Sequence, residues 1–131
     1  MVVDTSAIMA ILLAEPDAVH YARAIGKADA CLISAATALE CSIVSIARFG
    51  NDATLSAWMA DHGFEVVPVD AVQVALARDA FLRFGKGRHP AALNYGDCFS
   101  YALAKARREP LLFKGRDFSQ ADLPSALDSL Q

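Results

Sequence analysis

The chain opens on an apolar triplet, residues 1–3, followed at once by Asp4, Thr5 and Ser6 and then by a second apolar run. Three apolar residues ending in an acid predict a short buried strand, with Asp4 at its carboxyl end. Residues 6–14 read as a helix closed by Glu15 before Pro16. Pro16 suits the first turn of a second helix, with Asp17 beside it at the positive end of the dipole. That helix is expected to reach residue 25 and stop at Gly26. Residues 30–33 (ACLI) form a short apolar run between turn signals, which predicts another buried strand. Ser34 then caps a third helix, with Ala36, Ile43, Val44 and Ala47 expected on its apolar side.

Asn51 caps a fourth helix that continues through Trp58 and Asp61 to Gly63. Residues 64–69 (FEVVPV) are β-branched and strand-like, and Pro68 either demotes the end of that strand or marks it as an edge. Asp70 caps a fifth helix, in which Val72, Leu76, Ala80 and Phe84 recur every four residues. Residues 85–92 are a Gly-rich, basic loop. A sixth helix opens at residues 94–97 and runs to about residue 108, where Glu109-Pro110 stops it. Residues 111–113 (LLF) are a further buried strand, and the tail after Asp117 is irregular, with room for a last strand or turn.

Short apolar strands alternating with helices are the mark of βαβ units. The expectation is therefore an α/β protein, a single α/β/α sandwich with a short, mostly parallel central sheet. With 131 residues and no linker, repeat or low-complexity segment, the chain reads as one domain spanning 1–131.

Composition removes several classes. A hydrophobic content of 55% fits a packed core and not a disordered chain. No apolar run approaches the roughly 18–20 residues that cross a bilayer. The start shows no basic leader or cleavage site, so a cytoplasmic protein without a signal peptide or membrane partner is expected. Cys31, Cys41 and Cys98 are odd in number and lack CxxC spacing, which predicts reduced core thiols and argues against zinc. The net charge of −3 hides an asymmetry. Residues 1–77 hold nine acids against Arg23, Lys27 and Arg48, whereas residues 78–116 hold nine Lys/Arg against Asp79, Asp97 and Glu109. An acidic zone beside a basic surface is a way to meet phosphates. Lys86, Arg88, Lys114 and Arg116, in predicted loops, are the candidates to do so.

Of the fifteen acids, eleven have ordinary explanations at helix starts, helix ends, turns or polar faces. Four do not. Asp4 ends the first strand, and Glu40 stands among small and apolar residues in AATALECSIV. Asp97 opens a largely apolar helix in NYGDCFSYALA, and Asp117 follows the last strand in LLFKGRDF. A carboxylate in apolar surroundings must be paired, protonated or bound to metal. No Lys or Arg lies one helical turn from Glu40. Four carboxylates converging at a sheet edge repel, and a divalent cation resolves the conflict. All-oxygen donors without His or Cys select Mg²⁺, with Mn²⁺ as the alternative, over zinc. Such an ion can activate water and neutralise charge on a phosphodiester. There is no GxxxxGK[ST], GxGxxG or GxSxG, and His20, His62 and His89 neighbour no nucleophile. Thr5 and Ser6 could orient Asp4 or a metal-bound water, although helix capping is the commoner role for such residues.

Taken in order, VVDTSAI, the Glu on an apolar helix near residue 40, NYGDCFSYALA and LLFKGRDF resemble a PIN domain. More narrowly, they resemble the VapC-type toxins of bacterial type II toxin–antitoxin pairs. The resemblance spans essentially the whole chain; each motif alone is weakly specific, whereas the ordered set is strong. It implies a Mg²⁺-dependent endoribonuclease acting on RNA such as tRNA or rRNA, a homodimer, and neutralisation by a cognate small antitoxin. By position it makes Asp4 and Asp97 the principal metal ligands and Glu40 the acid that completes the site. Asp117 becomes the fourth acid, with one departure: many relatives carry an acid two residues earlier, where this chain has Gly115. Two rival readings remain at this stage. A PIN-like module could bind RNA or antitoxin without cutting. A haloacid-dehalogenase-like phosphatase also starts with an Asp after a strand, but it wants a second Asp where this chain has Ser6.

Overall fold

The computed structural model describes residues 1–129. Four strands form one parallel sheet: β1 (Val2–Val3), β2 (Leu32–Ser34), β3 (Glu65–Val67) and β4 (Leu111–Leu112), in the order β3-β2-β1-β4. Parallel neighbours cannot be joined by tight turns, so helices make every crossover. These are α1 (Thr5–Leu12) and α2 (Ala18–Lys27), α3 (Ala35–Phe49) and α4 (Ala53–Asp61), then α5 (Ala71–Phe84) and α6 (Tyr95–Arg107). A 3₁₀ turn at Phe118–Gln120 and a short α7 (Ala126–Ser129) follow.

The strands are short because each needs only one residue per face. Val2, Leu32 and Leu111 point into one core with Tyr101, Leu103 and Phe84. Val3, Ile33 and Leu112 point into the other with Ile8, Tyr21, Ile25 and Leu55. Adjacent residues on a strand face opposite ways, so three pairs of apolar residues suffice to anchor two helical layers. The α/β/α sandwich expected from the sequence is the observed architecture, and its sheet is wholly parallel.

Several helix boundaries and faces differ from expectation. α2 runs through Gly26 to Lys27, and a Cβ at Gly26 would meet nothing within 4 Å. In α3 the buried stripe is Thr37, Cys41 and Ser45, while Ile43 and Ala47 are exposed. Small side chains at i, i+4 and i+8 let α3 approach its neighbours closely, and the larger Leu39, Ile43, Ile46 and Phe49 are left outside. In α5 the buried positions are Gln73, Ala80 and Phe84, and Val72 is exposed. Asp70 caps that helix as predicted, accepting from the Gln73 N–H at 2.9 Å. β3 lies at the sheet edge, one of the two outcomes Pro68 allowed.

The strand order places the site. From β1 the chain steps to β2 and β3 on one side, then crosses to β4 on the other. The crevice at the carboxyl ends of β1 and β4 is thus a topological switch point, where open α/β sheets bind ligands. Asp4 stands at one lip of that crevice and the Lys114–Asp117 loop at the other.

Candidate acidic metal centre

Asp4 is nearly fully buried, and both of its carboxylate oxygens are occupied by donors. Oδ2 accepts from the Ser6 N–H at 3.0 Å and from Ser6 Oγ at 2.7 Å, while Oδ1 accepts from Ser100 Oγ at 2.6 Å. Asp4 is itself the N-cap of α1, and Ser6 orients it, the alternative to capping that the sequence left open. Ser6 also joins the two lips of the crevice: its Oγ accepts from the Lys114 backbone N–H at 2.9 Å. Thr5 reaches a different acid, donating from Oγ1 to Glu40 Oε1 at 2.5 Å.

Glu40 is half-buried on α3 and lies against the first turn of α6. A Cβ at Gly96 would come within 2.4 Å of Glu40 Oε2. Glycine at this helical position is what lets the carboxylate lie beside Asp97. Asp97 closes a capping box: Asn94 Oδ1 accepts from the Asp97 N–H at 2.9 Å, and Asp97 Oδ2 accepts from the Asn94 N–H at 3.0 Å. This arrangement fixes the Asp97 side chain at the positive end of α6.

Despite that favourable placement, the Asp97 carboxyl is pushed up to about 6. Burial is the main cause; the Asn94 backbone hydrogen bond opposes it, and the charges of Asp4, Asp117 and Glu40 add to it. The charges of the other three acids singled out in the sequence therefore all reach Asp97. Their arrangement is not uniform. Asp4, Glu40 and Asp97 are tied to β1, α3 and the first two turns of α6. Asp117 is exposed on the loop after β4 and reaches Asp97 through its charge. Cys41, beneath the site, is inert, its thiol pushed up to about 12 chiefly by burial.

No group of three or more His, Cys, Asp or Glu side chains among the described residues is already closed around an ion position. The carboxylates offer oxygen donors alone. That suits Mg²⁺ or Mn²⁺, which take oxygen ligands; Mg²⁺ keeps several waters and uses one or two carboxylates. The donor chemistry and the Gly96 cradle both fit such an ion. An ionised carboxyl has about four acceptor sites, so the hydrogen bonds already made leave lone pairs for a metal.

The basic residues fare unevenly. Lys114 is taken by Glu15 and Asp17, the latter at 3.0 Å, and is not free for phosphate. Arg88 lies 5.7 Å from the Phe81 ring centroid. Lys86 and Arg116 are exposed. Asp122, expected to be merely solvated, is held by Tyr101 Oη at 2.7 Å, Lys105 Nζ at 3.0 Å and Arg83 Nη2 at 3.1 Å. Sequence reasoning also missed Gly96 and Ser100 as parts of the site. Ser100 carried a signal: it is a hydroxyl one turn after Asp97 on the apolar side of its helix.

Comparison with known proteins bears on the family and the fold. The PIN domain family model matches residues 1–123. Ribonuclease VapC28 of Mycobacterium tuberculosis is 50% identical over 131 residues, covering 98% of each chain. The crystal structure of Mycobacterium tuberculosis VapC20, described as a Sarcin-Ricin loop cleaving toxin, superposes with a TM-score of 0.74 at 20% identity, covering 93% of this chain and 95% of that one. A toxin–antitoxin complex from Klebsiella pneumoniae gives 0.68 at 17% identity, covering 92% and 91%. At those identities the structures speak to the fold alone.

Proposed function

The chain belongs to the PIN domain family, and on that premise we propose that it is a VapC-type ribonuclease, the toxic component of a type II toxin–antitoxin system. It is an endoribonuclease dependent on a divalent metal, for which Mg²⁺ is our assignment and Mn²⁺ the substitute. The observation that carries the reading is the acidic cup itself, in which Asp97 feels the charges of Asp4, Asp117 and Glu40. The sequence offers no second chemistry, and the phosphatase alternative lacks its second Asp. A protein that only bound RNA would have no use for mutually repelling carboxylates held apart at a switch point.

In this reading Asp4 and Asp97 hold the metal, and Glu40 and Asp117 complete the site. When bound, the ion supplies charge neutralisation for the phosphodiester and acidifies a water. The chain's own residues do the rest. Asp4 is fixed in orientation by Ser6 and Ser100. Glu40 is held at Oε1 by Thr5, leaving Oε2 beside Gly96 to orient or deprotonate the attacking water. Lys86, Arg88 and Arg116 are candidates to hold phosphates without reading sequence. Lys114 instead braces the loop.

The substrate is RNA, with structured tRNA or rRNA as our proposal. The partner is a small cognate antitoxin. A homodimer is supported by an apolar groove of about 600 Å³ between α5 and α6, lined by Val74, Phe81, Tyr95 and Phe99. No helix among the described residues is long and apolar enough to cross a membrane. Three unpaired, buried cysteines suit the cytoplasm, where we place it.

The test is cleavage of RNA by protein purified free of host nuclease. Asp4→Asn and Asp97→Asn each remove a metal ligand. Losing several kcal/mol of charge stabilisation lowers the rate by about 10³-fold. Both variants should also lose toxicity on expression. Undiminished cleavage by both variants would overturn the assignment.

A further inference from the structure

A buried chain of hydroxyls runs beneath the cup, one helical turn from the acids. Ser100 stands on α6 three residues after Asp97, and Thr37 stands on α3 three residues before Glu40. Residues three apart on a helix share a face. The two hydroxyls therefore form a second polar layer under the first, carried by the same two helices. Both are almost completely excluded from solvent. Ser100 Oγ lies 2.6 Å from Asp4 Oδ1 and 3.3 Å from Thr37 Oγ1.

The direction of this chain follows from proton count. A hydroxyl has one hydrogen to give. The carboxylate of Asp4 can only accept, so the Ser100 hydrogen goes to Asp4. Thr37 must then be the donor to Ser100. The sequence Thr37 to Ser100 to Asp4 is polarised toward the carboxylate and strengthens the last bond. It links α3, α6 and β1, the three elements that carry Glu40, Asp97 and Asp4.

We infer that Ser100, backed by Thr37, is a positioning residue that sets the orientation of Asp4 and the spacing of the three acids for metal binding. This rests on the reading of the cup as a metal centre. Its logic is that of an outer-shell partner: the hydrogen bond fixes a ligand without competing for the ion, and losing such a partner weakens metal affinity by about 10–100-fold. A cation at the same place would fix Asp4 equally well but would cancel the charge that attracts the metal. A buried hydroxyl does the first without the second.

The experiment compares the complete chain with Ser100→Ala, Thr37→Val and Asp4→Asn. Thermal midpoints are followed against Mn²⁺ concentration, since a ligand that binds only the folded state raises the midpoint with the logarithm of its concentration relative to its dissociation constant. RNA cleavage is measured alongside. Ser100→Ala should need about 10–100-fold more Mn²⁺ for the same shift, and cleavage should recover largely when Mn²⁺ is saturating. Thr37→Val, which keeps the Ser100–Asp4 bond, should show a smaller displacement in the same direction. A purely structural role for Ser100 would lower the metal-free midpoint and leave the Mn²⁺ dependence in place. That result, with Asp4→Asn having lost its Mn²⁺ response, overturns the positioning role alone. If Asp4→Asn keeps the full Mn²⁺ response, the metal-centre reading falls and this inference falls with it.

Discussion

Asp97 stands in the first turn of α6 and Asp122 is bonded to later turns of the same helix, and the protein treats them in opposite ways. Asp122 is surrounded by donors that carry charge: Lys105 and Arg83 join the Tyr101 hydroxyl on its carboxylate. Partial burial would raise its affinity for a proton, but those hydrogen bonds and the Lys105 charge overcome it and bring the carboxyl down to about 2. Asp97 has backbone amides and other carboxylates for neighbours, and it is pushed up to about 6. Asp122 fastens the segment after β4 to α5 and α6, and nothing is left for it to bind. Asp97 and its companions are fixed by neutral donors, at a cost in repulsion on Asp97 that the proposed cation would relieve. Removing each should therefore have opposite consequences for stability and function.

The largest contrast should come from Gly96→Ala. The new methyl would meet Glu40 Oε2, the mobile end of a flexible side chain, so the carboxylate yields before the helix does. Alanine favours a helix over glycine by up to about 1 kcal/mol, and the fold should hold. Displacing a reacting group by about an ångström can cost on the order of 10²-fold. We expect a loss of RNA cleavage of that size with an unchanged or higher thermal midpoint. Intact cleavage would remove Glu40 from the site.

Asp122→Asn should do the reverse. It weakens an acceptor for a buried tyrosine hydroxyl and for two cations. We expect a loss of about 1–2 kcal/mol, a fall of roughly 2–8 °C in midpoint, with metal-saturated cleavage retained. A loss of cleavage matching that of Asp97→Asn would erase the distinction between the two acids.

A smaller effect separates them by pH. Between the ordinary aspartate value of 3.8 and about 6, Asp97 binds a proton more readily in the folded chain than in the unfolded one. Its contribution to metal-free stability is present below that window and is lost as pH rises through it. Asp122, lowered to about 2, contributes stability above 3.8 that is lost as pH falls toward 2. Midpoints measured in chelator should therefore decline on both sides. Asp97→Asn should flatten the decline between about pH 4 and 6, and Asp122→Asn the decline below about pH 4. Identical pH profiles for the two variants would contradict these opposed environments.

Much of the molecule was legible in its sequence because its strands are so short. Three pairs of apolar residues, each bounded by turns or acids, mark the sheet, and the four unexplained carboxylates point to its carboxyl edge. The face of α3 was not legible. Its large apolar residues Leu39, Ile43, Ile46 and Phe49 lie outside, and the small Thr37, Cys41 and Ser45 face inward. Periodicity finds a helix but cannot say which stripe a close-packed neighbour will accept. Asp122 and Lys114 were misread for another reason: their partners come from distant stretches of the chain, so no local spacing announces them. Ser6 and Thr5 were adjacent to the answer, but only the fold shows that one joins β1 to the β4 loop and the other crosses to Glu40.

The central claim is that the uncompensated acids form the metal site and the compensated one does not. Calorimetric titration of Mn²⁺ into the parent chain, Asp97→Asn and Asp122→Asn tests it most directly. The account predicts the same affinity for the parent and Asp122→Asn, and binding at least about 10-fold weaker for Asp97→Asn. Three superimposable isotherms would contradict it.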